Sequence, residues 1–239
     1  MEAAGLGRAM FSDVDPNPNE KNLEAGLKMF REGGHDGVVA FGGGSGLDLG
    51  KTLAFMAGQS RPVWDFEDIG DWWTRADAAA IAPIVAVPTT AGTGSEATKN
   101  AVLSKPGRDG FKKSFRDDKL VAEVAIVDPD LLSSCPPQVI AANGMDALTQ
   151  LIESYVSIKA NVFTDALGIS GLRAARDGLV SLYTSAGADP AARERMAYAS
   201  LVSGINLAQT GLGSVHGLAS PLGAVMTQRG VFYRGSRIG

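Results

Sequence analysis

Apolar positions in this chain recur with two periods, and the change from one to the other divides it. Residues Asn19 to Arg31 place Leu23, Leu27 and Phe30 on one helical face, with Gly33-Gly34 as a stop signal. Val38 to Phe41 is a short continuous apolar run of strand type, followed by Gly42 to Gly46 and a helix from about Leu47 to Ala57. Pro83 to Val87 and Glu123 to Val127 are two further buried-strand candidates, and Asp128-Pro129 closes the second. Lys99 to Phe115 reads as a hairpin turning at Lys105 to Gly110. Short apolar strands separated by helices predict a parallel α/β sheet covered on both faces. Beyond Cys135-Pro136-Pro137 the strand signal stops. Amphipathic helical segments are expected over Ala142 to Ser157, Phe163 to Tyr183 and Pro190 to Gln209, and another around His216. The expected organisation is an α/β domain over residues 1–134 and an all-helical domain over 135–239.

The ends of this pattern are thin. Three parallel strands make a small sheet, and a doubly wound domain ordinarily opens on a strand rather than a helix. Gln228 to Arg237 carries three arginines with no usable periodicity, so it is expected to be a tail. The pattern therefore predicts a piece of a longer chain, with strands missing before it and helices missing after it.

Composition narrows the partners. The formal charge of −4 and the absence of a basic block remove the electrostatic footprint of a nucleic-acid binder. No apolar stretch is long enough to span a bilayer, and the first residues lack a signal-peptide pattern. One cysteine, Cys135, suits a reducing cytoplasm and is expected to be structural. The 30 glycines in 239 residues are nearly twice the roughly 7% of average usage, which suits backbone approach to a nucleotide.

Two loops follow two strands. Gly42-Gly43-Gly44-Ser45-Gly46-Leu47-Asp48-Leu49-Gly50-Lys51 lies between strand and helix, where free N–H groups face an anion; the alternative is a glycine turn with a helix cap. It matches neither the dinucleotide fingerprint nor the P-loop in full. Asp48 and Lys51, three apart, share a helix face. Pro88 to Thr98 contains four threonines, a serine and two glycines at the carboxyl end of the next strand, where open α/β sheets bind ligands. In the helical part, Asp146 and Gln150 are four apart on one face, with Asp146 expected in the first turn of its helix, where the dipole alone would favour it. His216 is one of two histidines; a lone histidine among apolar neighbours is more often a core residue than a ligand. The other, His35, reads as a solvated turn residue.

Together the segments GGGSGLDLGK, PTTAGTGSEAT, AIVDPDLL, GMDALTQLIESYVS and GLGSVHGLASPLG resemble the iron-containing (group III) alcohol dehydrogenases, in the family's order and over roughly residues 14 to 224. The resemblance implies a dinucleotide-binding α/β domain, a helical metal-binding domain and a cleft between them. It implies that Gly43, Gly44, Ser45 and Asp48 line the pyrophosphate of NAD or NADP. Thr89, Thr90, Thr93 and Thr98 would form a second cofactor loop, with Asn17 as another contact and a lysine of the Lys112-Lys113 pair, Lys112 taken first, reaching a ribose. Family members hold Fe2+ or Zn2+ with one Asp and three His; Asp146 and His216 fall on two of those positions and Gln150 on a third. No histidine follows His216, and Ser220 stands where the family has a further His near the substrate. Glutamine is a weak ligand for iron or zinc, although sequences resembling maleylacetate reductases also carry it. The implied metal is therefore weakly held.

The implied activity is metal-assisted hydride transfer with NAD(P), interconverting a small alcohol and an aldehyde or ketone, in a cytoplasmic homodimer. Three readings compete with it: a metal-independent keto acid reductase of the maleylacetate type, a lyase of the dehydroquinate synthase type, and an inactive fragment with an exposed sheet edge.

Overall fold

The computed structural model describes residues 2–5, 9–107 and 109–228, without the side chains of 220, 224 and 226–228. Gln228, expected to open the tail, is instead the last residue of the final helix, and the rest of the expected tail and the side chain of Ser220 lie outside the described residues. The first long helix, α1 (Glu20–Glu32), starts at Asn19, whose side chain accepts from the Lys21 and Asn22 N–H groups while the Asn22 side chain accepts the Asn19 N–H. This reciprocal cap satisfies donors that a helix start otherwise leaves open. Gly33 caps the other end, and Gly34 turns the chain at φ +61.

The strand β1 (Val38–Gly42) pairs in parallel with β2 (Ile84–Pro88), in register from Val38 opposite Ile84 to Gly42 opposite Pro88. Between them lies α2 (Gly44–Met56), which starts three residues earlier than its hydrophobic pattern suggests because the glycines themselves enter the helix. A separate antiparallel hairpin follows, β3 (Asn100–Lys105) and β4 (Phe111–Arg116), as its turn residues predict. The last parallel strand, β5 (Val124–Ala125), is shorter than expected, although the Glu123 and Ile126 N–H groups continue its ladder onto Ile84 and Ala86. The sheet order is β1-β2-β5. One face is covered by α2, where Leu49, Leu53 and Phe55 join Leu23, Leu27, Ile84, Leu103 and Phe115 in one buried cluster. On the other face Val39, Phe41, Val124 and Ile126 are exposed, so the expectation of a sheet covered on both faces is not met among the described residues. A broad groove lined by Lys28, His35, Val38 and Glu123 runs at the amino ends of the strands, away from both loops singled out above.

From Pro137 on, the described chain is helical: α3 (Pro137–Tyr155), α4 (Val162–Thr184), α5 (Pro190–Thr210) and α6 (Ser214–Gln228). The start of α3 corrects the sequence reading. Pro137 occupies the first helical position, where its missing N–H costs nothing, so the helix begins well before Ala142. Asp146 consequently sits in the helix interior and not in its first turn, and the dipole does not explain it. Helices α3, α4 and α5 pack on one another through Leu151, Ala175, Leu182, Met196 and Val202. Gly171 permits close approach, because a Cβ there would lie 2.8 Å from a Leu151 methyl.

Cys135 is buried beside this helical core, and burial pushes its thiol up to about 11. Its thiolate, the reactive form, is scarce at neutral pH. Iodoacetamide is expected to label the native protein far more slowly than the unfolded chain; equal rates would show the site to be open. His35 is half-buried and not simply solvated, with its ring 6.1 Å from that of Phe30.

Candidate active site

The two glycine- and threonine-bearing loops converge at the carboxyl ends of β1 and β2. The Thr89 N–H donates to the Gly42 carbonyl at 2.9 Å and ties the strand ends together. A Cβ on Gly43 would stand 3.2 Å from the Thr90 methyl, and one on Gly44 would stand 2.7 Å from the Thr93 methyl. The first loop is therefore glycine because the second leans on it. Gly43 caps α2 without any side-chain acceptor for the first-turn N–H groups. An uncapped start of a 13-residue helix, walled by half-buried Thr89, Thr90 and Thr93, suits a diphosphate. Ser45 stands at the same helix start and donates its Oγ–H to the Pro16 carbonyl. Beside it, Lys112 on β4 reaches the Asn17 Oδ1 at 3.5 Å, so Asn17 and Lys112 flank the same mouth. Lys113, the alternative lysine, is instead paired with Glu67.

Two of the expected cofactor contacts turn inward. Asp48 accepts from Ser95 Oγ at 2.7 Å and from the Val102 N–H at 3.2 Å, which places its carboxylate behind the loop and not against an incoming phosphate. Burial pushes its pKa up, opposed by Lys51 and these hydrogen bonds. Thr98 is also buried, and its Oγ1 accepts from Lys51 Nζ at 3.0 Å. Lys51 is the residue that the sequence reading underrated. Fully buried, its ammonium donates to the Ser95 carbonyl (2.8 Å) and the Thr98 carbonyl (2.7 Å), and contacts the Asn100 carbonyl and both hydroxyls. Burial pushes it down to about 8, against the pull of Asp48 and Glu96. It fastens the far end of the threonine loop to α2.

In the helical part, α6 lies against β4, and its first turn brings His216 over α3. His216 Nε2 is 3.0 Å from Asp146 Oδ1, and Nδ1 is 2.6 Å from Glu153 Oε2. The hydrogen bond to Asp146 leads in raising the His216 pKa, against partial burial, and Glu153 adds to it. Burial alone would raise the Glu153 pKa, but hydrogen bonds from the Gly213 N–H, the His216 ring and the Val215 N–H hold it below its usual value. Gln150 departs from its expected role: it is buried, and its Oε1 accepts from Ser203 Oγ on α5 at 2.9 Å. Helical spacing puts Gln150 near Asp146, but the packing of α5 turns its side chain away. Asp146 and His216 thus pair directly with each other and offer two donors, while catalytic iron or zinc generally takes three protein donors. Among the described residues no group of three or more His, Cys, Asp or Glu side chains forms a metal cage. Glu153 was missed from sequence, although it stands seven residues after Asp146 on the same helix face.

The sequence model of iron-containing alcohol dehydrogenases matches residues 1–129, and that of the C-terminal region of the same family matches 140–228. The chain belongs to the iron-containing alcohol dehydrogenase family. Among family relatives, alcohol dehydrogenase 4 of Saccharomyces cerevisiae (strain YJM789) is 37% identical over 93% of this chain and 56% of its own length. Lactaldehyde reductase of Escherichia coli (strain K12) is 36% identical over 94% of this chain and 57% of its own. Among solved structures, a 1,3-propanediol oxidoreductase superposes with a TM-score of 0.87 at 37% identity, over 94% of this chain and 57% of that one. Sulfoacetaldehyde reductase from Bifidobacterium kashiwanohense, solved in complex with NAD+, gives 0.84 at 32% identity, over 92% and 57%. The chain spans little more than half the length of these family relatives. The fold is that of these dehydrogenases: a parallel sheet with helices, followed by a helical part. No described helix is long and apolar enough to cross a membrane.

Proposed function

We propose that this chain supplies the dinucleotide cradle and two metal-binding residues of an oxidoreductase that interconverts a small alcohol and its aldehyde or ketone. The observation that carries the reading is the convergence of the two loops on an uncapped helix start, with the Asp146–His216 pair built on the helices that follow. The Gly43–Ser45 backbone and Thr89, Thr90 and Thr93 hold the pyrophosphate of NAD, and Asn17 and Lys112 stand at the ribose side. A dinucleotide in this cradle would supply hydride chemistry, and Asp146 and His216 are the residues that would hold a divalent iron or zinc, whose chemistry would be that of a Lewis acid toward the substrate oxygen. The division at residue 134 separates these two tasks, cofactor before it and metal after it.

The donor set makes that metal weakly held, since Gln150 is committed to Ser203 and offers no charge. Elemental analysis of protein purified without chelator is expected to find well under one equivalent of iron or zinc after dialysis. A stoichiometric metal that survives dialysis and disappears in Asp146→Ala would show the two-residue site to be sufficient. The cradle is tested separately, by quenching of protein fluorescence on titration with NADH; absence of saturable binding would overturn the nucleotide reading.

A further inference from the structure

The segment Pro16-Asn17-Pro18 brings Asn17 to the mouth of the cradle without belonging to any helix or strand. Each proline fixes its own φ and restricts the residue before it, so little backbone freedom is left around Asn17. Stiffness alone does not place this strap. Two hydrogen bonds do, one to the carbonyl on each side of Asn17. The Ser104 N–H on β3 donates to the Pro18 carbonyl at 2.8 Å. Ser45, in the first turn of α2, donates its Oγ–H to the Pro16 carbonyl at 2.5 Å. Lys112 Nζ, 3.5 Å from Asn17 Oδ1, is a looser third tie.

We propose that Ser45 is a positioning residue: its side chain clasps the Pro16–Pro18 strap to the start of α2 and so sets Asn17 against the dinucleotide, while only its backbone faces the phosphates. The proposal rests on the reading of the two loops as a dinucleotide cradle. A serine hydroxyl has one hydrogen to donate. Here the Pro16 carbonyl takes it, and ionised phosphate oxygens only accept, so the Ser45 side chain has no donor left for them. Removing the hydroxyl is therefore felt through Asn17. It is not felt through α2, because Ser45 lies inside the helix, beyond the cap residue Gly43, and alanine is the better helix former there.

Two measurements on the full chain test this. Amide hydrogen exchange followed by NMR, with no ligand added, reads the clasp itself. The Ser104 N–H is bonded to the strap, so its protection depends on Pro18 staying in place. Ser45→Ala is expected to speed its exchange by about fivefold, the worth of one ordinary hydrogen bond, while the α2 amides keep their rates. Unchanged exchange at Ser104 would overturn the clasp. Titration with NADH then reads the consequence, in a cycle of Ser45→Ala, Asn17→Ala and the double variant. Ser45→Ala is expected to weaken NADH binding about fivefold in the parent, and by less than about twofold where Asn17 is already alanine. An equal loss in both backgrounds would mean that Ser45 meets the dinucleotide directly or acts through α2, and would overturn the proposal. So would a Ser45→Ala or an Asn17→Ala variant that binds NADH as the parent does. A parent protein without saturable NADH binding would sink the cradle reading and the clasp's part in it, while exchange at Ser104 still decides whether the clasp holds the strap.

Discussion

Lys51→Met is expected to destabilise the protein by about 3–5 kcal/mol, the usual cost of removing one partner from a buried charged cluster. Methionine fills much the same volume but has no donor. Three backbone carbonyls, those of Ser95, Thr98 and Asn100, lose the ammonium that satisfies them, in a place that water does not reach. Asp48 and Glu96, whose pKa values burial already pushes up, lose their counter-charge as well. Urea unfolding measures the loss, and a midpoint equal to the parent's would show that the cluster contributes nothing. Because Lys51 anchors the segment that carries Thr93 and Thr98, NADH affinity is expected to fall with stability even under conditions where the variant remains folded.

Gly44→Val is expected to reduce NADH affinity by about a hundredfold, near 2.8 kcal/mol at 1.4 per decade. Even a bare Cβ at this position would meet the Thr93 methyl at 2.7 Å, so the branched side chain must either part the two loops or fill the space in front of the α2 start. Both outcomes remove the cradle. The helical part has its own buried cluster around Leu151, Leu182 and Met196, so far-UV circular dichroism should change little. Unchanged NADH titration in this variant would remove the glycine loop from the nucleotide site.

What could be read in advance follows a physical division. Leu23, Leu27 and Phe30 give α1 because a helix face repeats within a turn, and Gly33-Gly34 ends it for local steric reasons. The strands at Val38 and Ile84 are legible for the same reason, as continuous apolar runs between breakers. The start of α3 was missed because Pro136-Pro137 reads as a break, although proline at the first helical turn favours a helix. The anchoring role of Lys51, and Glu153 altogether, escape the sequence for a different reason. Their meaning lies in partners 44 to 63 residues away along the chain, such as Ser95 and His216, and a local pattern carries no information about those distances. Gln150 shows the same limit from the other side: its spacing from Asp146 was right, and Ser203 on a different helix decided where it points.

The glycines of the threonine loop also face the helices. A Cβ on Gly92 would stand 2.5 Å from that of Asn143 on α3, and Gly94, at φ +61, lies against the backbone of Gly204 and Ser200 on α5. Lys51 grips the same loop from the opposite side. A segment riveted to both parts of the molecule makes a poor hinge, since swinging one part against the other would have to break backbone contacts at both ends of it. The wall proposed to receive the phosphates is then already ordered before any ligand arrives, so the entropy of shaping it is spent during folding and not during binding.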